Sequence, residues 1–173
     1  MASNLQTAGY KITVHDARRE AADAHIKAGA KWADTPKALA AASDVVLTSL
    51  PGPPEMEAVA LGANGLIEGM KKGAAYFDLT TNAPRVVRKV EAAFKAKGFH
   101  MCDAPVSGGP TGAKSKRMAI WVGGDEAIFE KYKPVLDAIG DAARYIGPIG
   151  AGSVAKLVHN CAGYAVQTAL AEV

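Results

Sequence analysis

Short apolar runs alternate along the chain with longer alanine-rich or amphipathic stretches, a pattern typical of strands separated by helices. The segment from Asp44 to Leu50 shows no regular polar alternation, as expected for a parallel strand that is covered on both faces. Strands are predicted at 11–15, 44–50, 74–78, 98–102, 118–122 and 142–146. Helices are predicted up to Gly9 and at 17–28, 35–42, 54–61, 84–97, 126–138 and 152–173. The alternation indicates an α/β fold with a doubly wound, mostly parallel sheet.

The first predicted helix, which ends at Gly9, has no strand before it. In dinucleotide-binding folds, a strand and a glycine-rich turn precede such a helix, because the N–H groups of that turn bind the pyrophosphate. We therefore expect a sheet that lacks its first strand, in a chain that is a piece of a longer protein.

A carboxylate follows the predicted strand at 11–15. Asp16 is placed to accept hydrogen bonds from the ribose hydroxyls of a dinucleotide, and its charge would repel a 2′-phosphate, which favours NAD. NADP stays open because Arg18 could turn towards such a phosphate. Asp16 could instead cap the helix that follows.

The stretch from Asp103 to Gly109 turns an apolar strand into a polar, glycine-lined corner, since Pro105 cannot extend a central ladder. Ser107 offers a hydroxyl, and Gly108 and Gly109 offer unshielded backbone N–H groups. This combination can hold a small carboxylate. The alternative is a tight turn that needs glycine for conformational reasons alone.

The last predicted helix has two opposed stripes. Val154 and Val158 are followed at helical spacing by Cys161 and Ala165, whereas Lys156 and Asn160 lie one turn apart on the other side. On spacing alone, the Lys156 stripe reads more easily as a solvated face than as a catalytic one.

The composition excludes several classes of protein. Hydrophobic residues make up 49% of the 173 residues and charged residues 21%, which is typical of a globular chain with one main domain. The net charge of +3 comes from scattered residues and does not predict nucleic-acid binding. No apolar run approaches the roughly 20 residues of a spanning helix, and no secretory signal opens the chain. We expect a cytoplasmic protein, or a mitochondrial one in a eukaryote, with no metal site. Its two cysteines should be free buried thiols.

Two motifs taken together resemble those of the β-hydroxyacid dehydrogenases, the group of 3-hydroxyisobutyrate dehydrogenase and tartronate semialdehyde reductase. The motifs are Asp-Ala-Pro-Val-Ser-Gly-Gly at 103–109 and Gly-x-Gly-x-x-x-Lys-x-x-x-Asn at 150–160. The resemblance implies a Rossmann-like NAD(P)-binding domain over 1–149 without its first strand and glycine-rich turn. Residues 150–173 would begin the helix that leads into an all-helical domain, and the full-length form would be a homo-oligomer. Without that domain, the helix should expose an apolar stripe.

The resemblance also implies an oxidoreductase that transfers a hydride between NAD(P) and a short 3-hydroxyacid. Lys156 would be the general acid and base, and Asn160 would position it. Ser107, Gly108 and Gly109 would bind the substrate. The expected cofactor contacts are Asp16, Leu50, Pro51, Thr80 and Thr81. Taken singly, the residues at 50–51 could simply end a strand, and those at 80–81 could cap the next helix.

Two other interpretations stay open. The chain could be a non-catalytic nucleotide-binding or dimerising fragment, and a 6-phosphogluconate dehydrogenase type ranks lower still. Two residues depart from the family pattern. Lys116 stands where relatives usually have glycine, and His159 stands where they commonly have asparagine.

Overall fold

The computed structural model describes residues 1–173 and shows a six-stranded sheet with helices on both faces. The strands of this sheet are β3 (Val45–Thr48), β4 (Ala75–Asp78), β5 (His100–Asp103), β6 (Val106–Ser107), β7 (Ala119–Gly123) and β8 (Ala142–Gly147). Their order is β3-β4-β5-β7, with β6 on the same edge of β7 as β5 and with β8 on the opposite edge. The predicted α/β class is confirmed.

The main sheet is mostly parallel, as predicted, but it also contains antiparallel pairs. The β3–β4, β4–β5 and β7–β8 pairs are parallel, whereas β7 runs antiparallel to β5 and β6. The chain therefore reverses direction after the corner at 103–109. β6 was not predicted, because two residues are too few to show a strand period.

A second, two-stranded sheet stands apart from the first. It pairs β1 (Thr13–Val14) with β2 (Lys31–Trp32) in parallel. The sequence predicted β1 and missed β2. A groove of about 600 Å³ separates β1 from β3 and is lined by consecutive residues of both segments, 11–15 and 43–49. Successive side chains of a strand point to opposite faces, so a groove on one face would be lined by every second residue. This groove is lined by consecutive residues and therefore runs along the strand edges.

The helices agree with the prediction except in two regions. They are α1 (Ala2–Thr7), α2 (Asp23–Lys27), α3 (Pro36–Ala41), α4 (Pro53–Leu61), α5 (Pro84–Ala96), α6 (Gly109–Ser115), α7 (Glu126–Asp137) and α8 (Ala151–Ala171). The single helix predicted at 17–28 is wrong, since a 3-10 turn at Arg19–Ala22 precedes the short α2. α6 was not predicted. Side chains cap the N-termini of α3 and α7: the Thr35 hydroxyl accepts from the Ala38 N–H, and the Asp125 carboxylate accepts from the Ile128 N–H.

Each face of the main sheet has its own core. Tyr76 packs with Val87, Val90 and Phe94 of α5 on one face, and Phe77 packs with residues of α7 on the other. All four residues of β4 are buried. This two-sided burial confirms a doubly wound sheet.

α8 is anchored only in its first half. Gly152, Ser153 and Lys156 are buried, whereas every residue from 161 to 173 is exposed. Val154 (45%) and Val158 (63%) of the predicted apolar stripe are exposed, and so are Tyr164 (65%) and Leu170 (71%) on other sides of the helix. No helix is both long enough and apolar enough to span a membrane.

The two thiols have different environments. Cys102 is buried in β5, and burial raises its pKa to about 12. Cys161 is exposed on α8, so the expectation that both thiols are buried is wrong for this residue. The helical pattern could not identify the face of α8 that contacts the sheet.

Candidate functional site

The carboxyl ends of β3 and β4 carry two loops that are tied together. The Leu50 N–H donates to the Thr80 hydroxyl at 3.1 Å. Below them, the buried Asp78 carboxylate accepts from the Thr48 hydroxyl at 2.8 Å, from the Thr80 N–H at 3.2 Å and from the Asn82 amide at 2.6 Å. Desolvation raises the Asp78 pKa, even though these bonds oppose the shift. The network holds both loops as one unit at the edge of the sheet.

The predicted cofactor residues on these loops differ in exposure. Thr80 is buried and its hydroxyl is engaged within the protein, whereas Thr81 and Pro51 are exposed and Leu50 is half-buried. Pro84 begins α5, and Ala83 is its N-cap, so neither threonine caps that helix. No sequence pattern singled out Asn82. Its Oδ1 atom is buried without a hydrogen-bond partner, and such an unsatisfied acceptor is unusual in a protein interior.

Asp16 lies just beyond β1 and is exposed. One of its carboxylate oxygens accepts from the Arg18 N–H at 2.9 Å, and the other is free at the surface. The N-cap of the following 3-10 turn is Arg18, so the suggestion that Asp16 caps this element is wrong. The neighbouring Arg19 places its guanidinium over the Trp32 ring, 4.8 Å from the ring centre.

The corner after β5 brings Ser107 against α8. Its hydroxyl lies 3.1 Å from Nε2 of His159, whose ring also contacts the Trp121 ring at 5.1 Å between centres. Gly108 has φ 140° and Gly109 has φ 61°, a backbone conformation that favours glycine. A Cβ at Gly108 would also lie 2.8 Å from a backbone oxygen. The tight-turn interpretation of these glycines is therefore correct, and it is compatible with N–H groups that face a ligand.

Lys156 is buried, with 8% of its surface exposed. Burial lowers the pKa of its amine, with no contribution from a hydrogen bond or a neighbouring charge. Val154 and Val158 on the opposite side of the helix are exposed, so the interpretation of the stripe as a solvated face is wrong at Lys156. Asn160 is half-buried one turn further on and makes no hydrogen bond to Lys156.

Asp103, at the start of the corner, is a further residue of the site that the sequence did not identify. Its buried carboxylate binds the first turn of α8 through Gly150 and Ser153. The partners are nearly fifty positions apart in sequence, so no local pattern could have paired them. The structure thus joins the Ser107 corner to the Lys156 helix through Asp103 on one side and His159 on the other.

Comparison with known proteins gives a consistent result. The sequence profile of the NAD-binding domain of 6-phosphogluconate dehydrogenase matches residues 1–147. The NAD-dependent L-serine dehydrogenase of Pseudomonas aeruginosa is 38% identical over 160 residues, which cover 92% of this chain and 54% of that protein. The 3-hydroxyisobutyrate dehydrogenase of the same organism is 36% identical, with the same two coverages.

The fold agrees with these matches. A structure of the 3-hydroxyisobutyrate dehydrogenase of Mycobacterium tuberculosis with L-serine superposes with a TM-score of 0.93 at 29% identity. The superposition covers 99% of this chain and 58% of that one. The chain therefore spans between half and two thirds of the length of the proteins it resembles.

Proposed function

Because this chain belongs to the β-hydroxyacid dehydrogenase family and carries its NAD-binding domain, we propose that it forms the cofactor-binding part of an enzyme that interconverts a short 3-hydroxyacid and its aldehyde acid. 3-Hydroxyisobutyrate and L-serine are the first substrates to test, since they are those of the relatives. The relatives are oxidoreductases, and the reaction of this chain is our proposal.

The edge formed by the strand ends fits NAD. Asp16 presents a free carboxylate oxygen beyond β1, and Pro51 and Thr81 lie exposed on loops that Asp78 holds in place. Asp16 would bind the adenosine ribose, and Leu50, Pro51, Thr80 and Thr81 would line the nicotinamide side. When bound, the nicotinamide supplies the hydride acceptor or donor.

Lys156 would move the proton. In oxidation, its neutral amine accepts the proton of the substrate hydroxyl, and in reduction its ammonium form returns that proton to the carbonyl oxygen. A lowered pKa favours this role, because more of the amine is then neutral near the working pH. Ser107, with the N–H groups of Gly108 and Gly109, would bind the substrate carboxylate, and Asn160 would orient the reacting groups.

One observation supports this proposal above the others. Lys156 is a buried amine without a partner, on the same helix as the His159 that contacts Ser107. A lysine that served only stability would gain from an ion pair, and Lys156 has none.

Substitution of Lys156 tests the assignment. Turnover of 3-hydroxyisobutyrate or L-serine with NAD, followed by NADH absorbance, should fall roughly 10²–10⁴-fold in Lys156→Ala, because general acid and base catalysis is lost. Lys156→Arg should be similarly inactive, since a guanidinium does not deprotonate. Calorimetric titration with NADH should give unchanged binding in both variants. Retained turnover in Lys156→Ala would refute the assignment.

A second candidate is a nucleotide-binding or dimerising module without turnover. It is favoured by the exposed second half of α8. Titration with NADH and NADPH separates the candidates when combined with the assay. Binding without turnover would support the second candidate, and absence of binding would contradict both nucleotide-dependent functions.

A further inference from the structure

The Asp103 carboxylate is buried at the end of β5, with 1% of the residue exposed. One oxygen accepts from the Gly150 N–H at 2.7 Å. The other accepts from the N–H of Ser153 at 2.6 Å and from its hydroxyl at 2.8 Å. All three donors belong to the start of α8, where N–H groups lack partners within the helix and the helix dipole favours a negative charge. A buried carboxylate is thus satisfied by one helix end.

Close packing against β5 and β7 also restricts movement of the first turn of α8. A Cβ at Gly152 would lie 2.3 Å from the Trp121 carbonyl oxygen, and one at Gly123 would lie 2.5 Å from the Asp103 carboxylate. The first turn of α8 therefore rests directly on the backbones of β5 and β7. Any shift of the helix along its axis would break hydrogen bonds and create steric overlap.

Both halves of the candidate site depend on this attachment. Ser107 follows Asp103 by four residues in the corner, and Lys156 follows Ser153 by three residues in the helix. We infer that Asp103 is a positioning residue that fixes the start of α8 against the substrate corner and so sets the place of the Lys156 amine. The functional meaning of this inference rests on the proposed role of Lys156.

An ordinary helix cap would stabilise α8 without affecting a side chain further along it. The distinguishing measurement is therefore the Lys156 amine itself. In Asp103→Asn, one acceptor oxygen becomes an NH₂ donor that faces the N–H groups of α8. The first turn should loosen and the amine should become more exposed. The Lys156 pKa should then rise towards its ordinary value, followed by NMR of chain labelled with ¹³C-lysine.

Two further variants make the test specific. Ser153→Ala removes a single hydroxyl bond and should give a smaller rise of the Lys156 pKa in a chain that folds. Asp125→Asn is the matched control, because Asp125 caps α7 through the Ile128 N–H at 3.1 Å and makes no hydrogen bond to α8. It should leave the Lys156 pKa unchanged.

The inference is overturned if both Asp103→Asn and Ser153→Ala fold and leave the Lys156 pKa unchanged. The titration does not depend on turnover, so failure of the proposed function would appear separately, as activity retained in Lys156→Ala. Where turnover is measured, Asp103→Asn should lower kcat roughly 10- to 100-fold with little change in KM, since the displaced group acts in the chemical step. A fall confined to KM would argue against positioning.

Discussion

Burial of Lys156 lowers the stability of the fold, because no hydrogen bond or ion pair compensates for the desolvation of its amine. Burial lowers the pKa of its amine, so the unfolded chain keeps this proton to a higher pH than the folded chain. Between the two pKa values the unfolded state binds more protons, and stability therefore rises with pH through that window. Below the folded-state pKa, the full cost of burying the charge applies.

This sign leads to a prediction for Lys156→Met. Near neutral pH the variant should be more stable than the natural chain, by on the order of 1 kcal/mol, because an apolar side chain of similar length replaces a buried charge. The difference should shrink as the pH approaches 10.5, the ordinary lysine value. Urea unfolding at several pH values measures it. The exposed Lys97→Met is the control, and an equal gain there would remove the link to burial.

A different residue, Lys116, stores backbone strain. It ends α6 in the left-handed conformation, with φ 61° and ψ 28°. Glycine adopts this conformation easily, whereas a residue with a Cβ, such as lysine, adopts it at a cost in free energy.

Lys116→Gly should accordingly stabilise the chain by about 0.5–1 kcal/mol in urea unfolding, since relief of strain exceeds the added freedom of the unfolded glycine. Lys114→Gly lies two residues earlier within α6 and should have the opposite effect, because glycine weakens a helix interior. If both substitutions destabilise the chain equally, the strain at Lys116 is not real.

Among the elements, those with several turns or a cap were predictable from sequence. α5 and α7 show a clear helical period, and the Thr35 and Asp125 caps have their usual side chains. β2 and β6 have two residues each and show no period. α6 contains two glycines and a proline, so its helical form depends on packing, as at Gly112, where a Cβ would lie 2.9 Å from the Arg117 carbonyl oxygen.

In the candidate site, too, some features could be predicted from local sequence and others could not. The residue types of the corner and of α8 suggested chemistry from sequence, and spacing placed Lys156 and Asn160 on one face. Spacing could not show that this face is the buried one. That outcome depends on Asp103 and on close contacts with β5 and β7, which are distant in sequence.

The exposed half of α8 carries a prediction about association. Val158, Tyr164 and Leu170 present apolar surface to water, and such surface on a helix is commonly covered by another copy or domain. The chain should therefore self-associate at micromolar concentration in sedimentation velocity experiments. Val158→Lys combined with Leu170→Lys should shift it to monomer. Ile146→Lys, at an exposed position of β8, should leave association unchanged, and a monomeric natural chain would contradict the prediction.

At the scale of the whole molecule, the two sheets should differ in stability. The main sheet joins six strands between two buried cores, whereas the β1–β2 pair has two residues per strand and faces the groove beside β3. Two-stranded ribbons are marginal without further pairing, so this pair depends on contacts from the surrounding helices. Local opening there need not disturb the rest of the fold.

Hydrogen exchange tests this difference directly. The N–H groups of Lys31 and Ala33 donate to the β1 segment, to the Ile12 and Val14 carbonyls, at 3.0 Å. Those of Ala75 and Leu79 donate to the β3 segment at 3.2 and 2.8 Å. We expect the first two amides to exchange through a low-energy opening that urea hardly affects, since little surface is exposed. The other two should exchange only with global unfolding and follow its urea dependence. Equal protection of all four amides would mean that the groove does not divide the molecule into regions of unequal stability, and that β1 and β2 unfold with the main sheet.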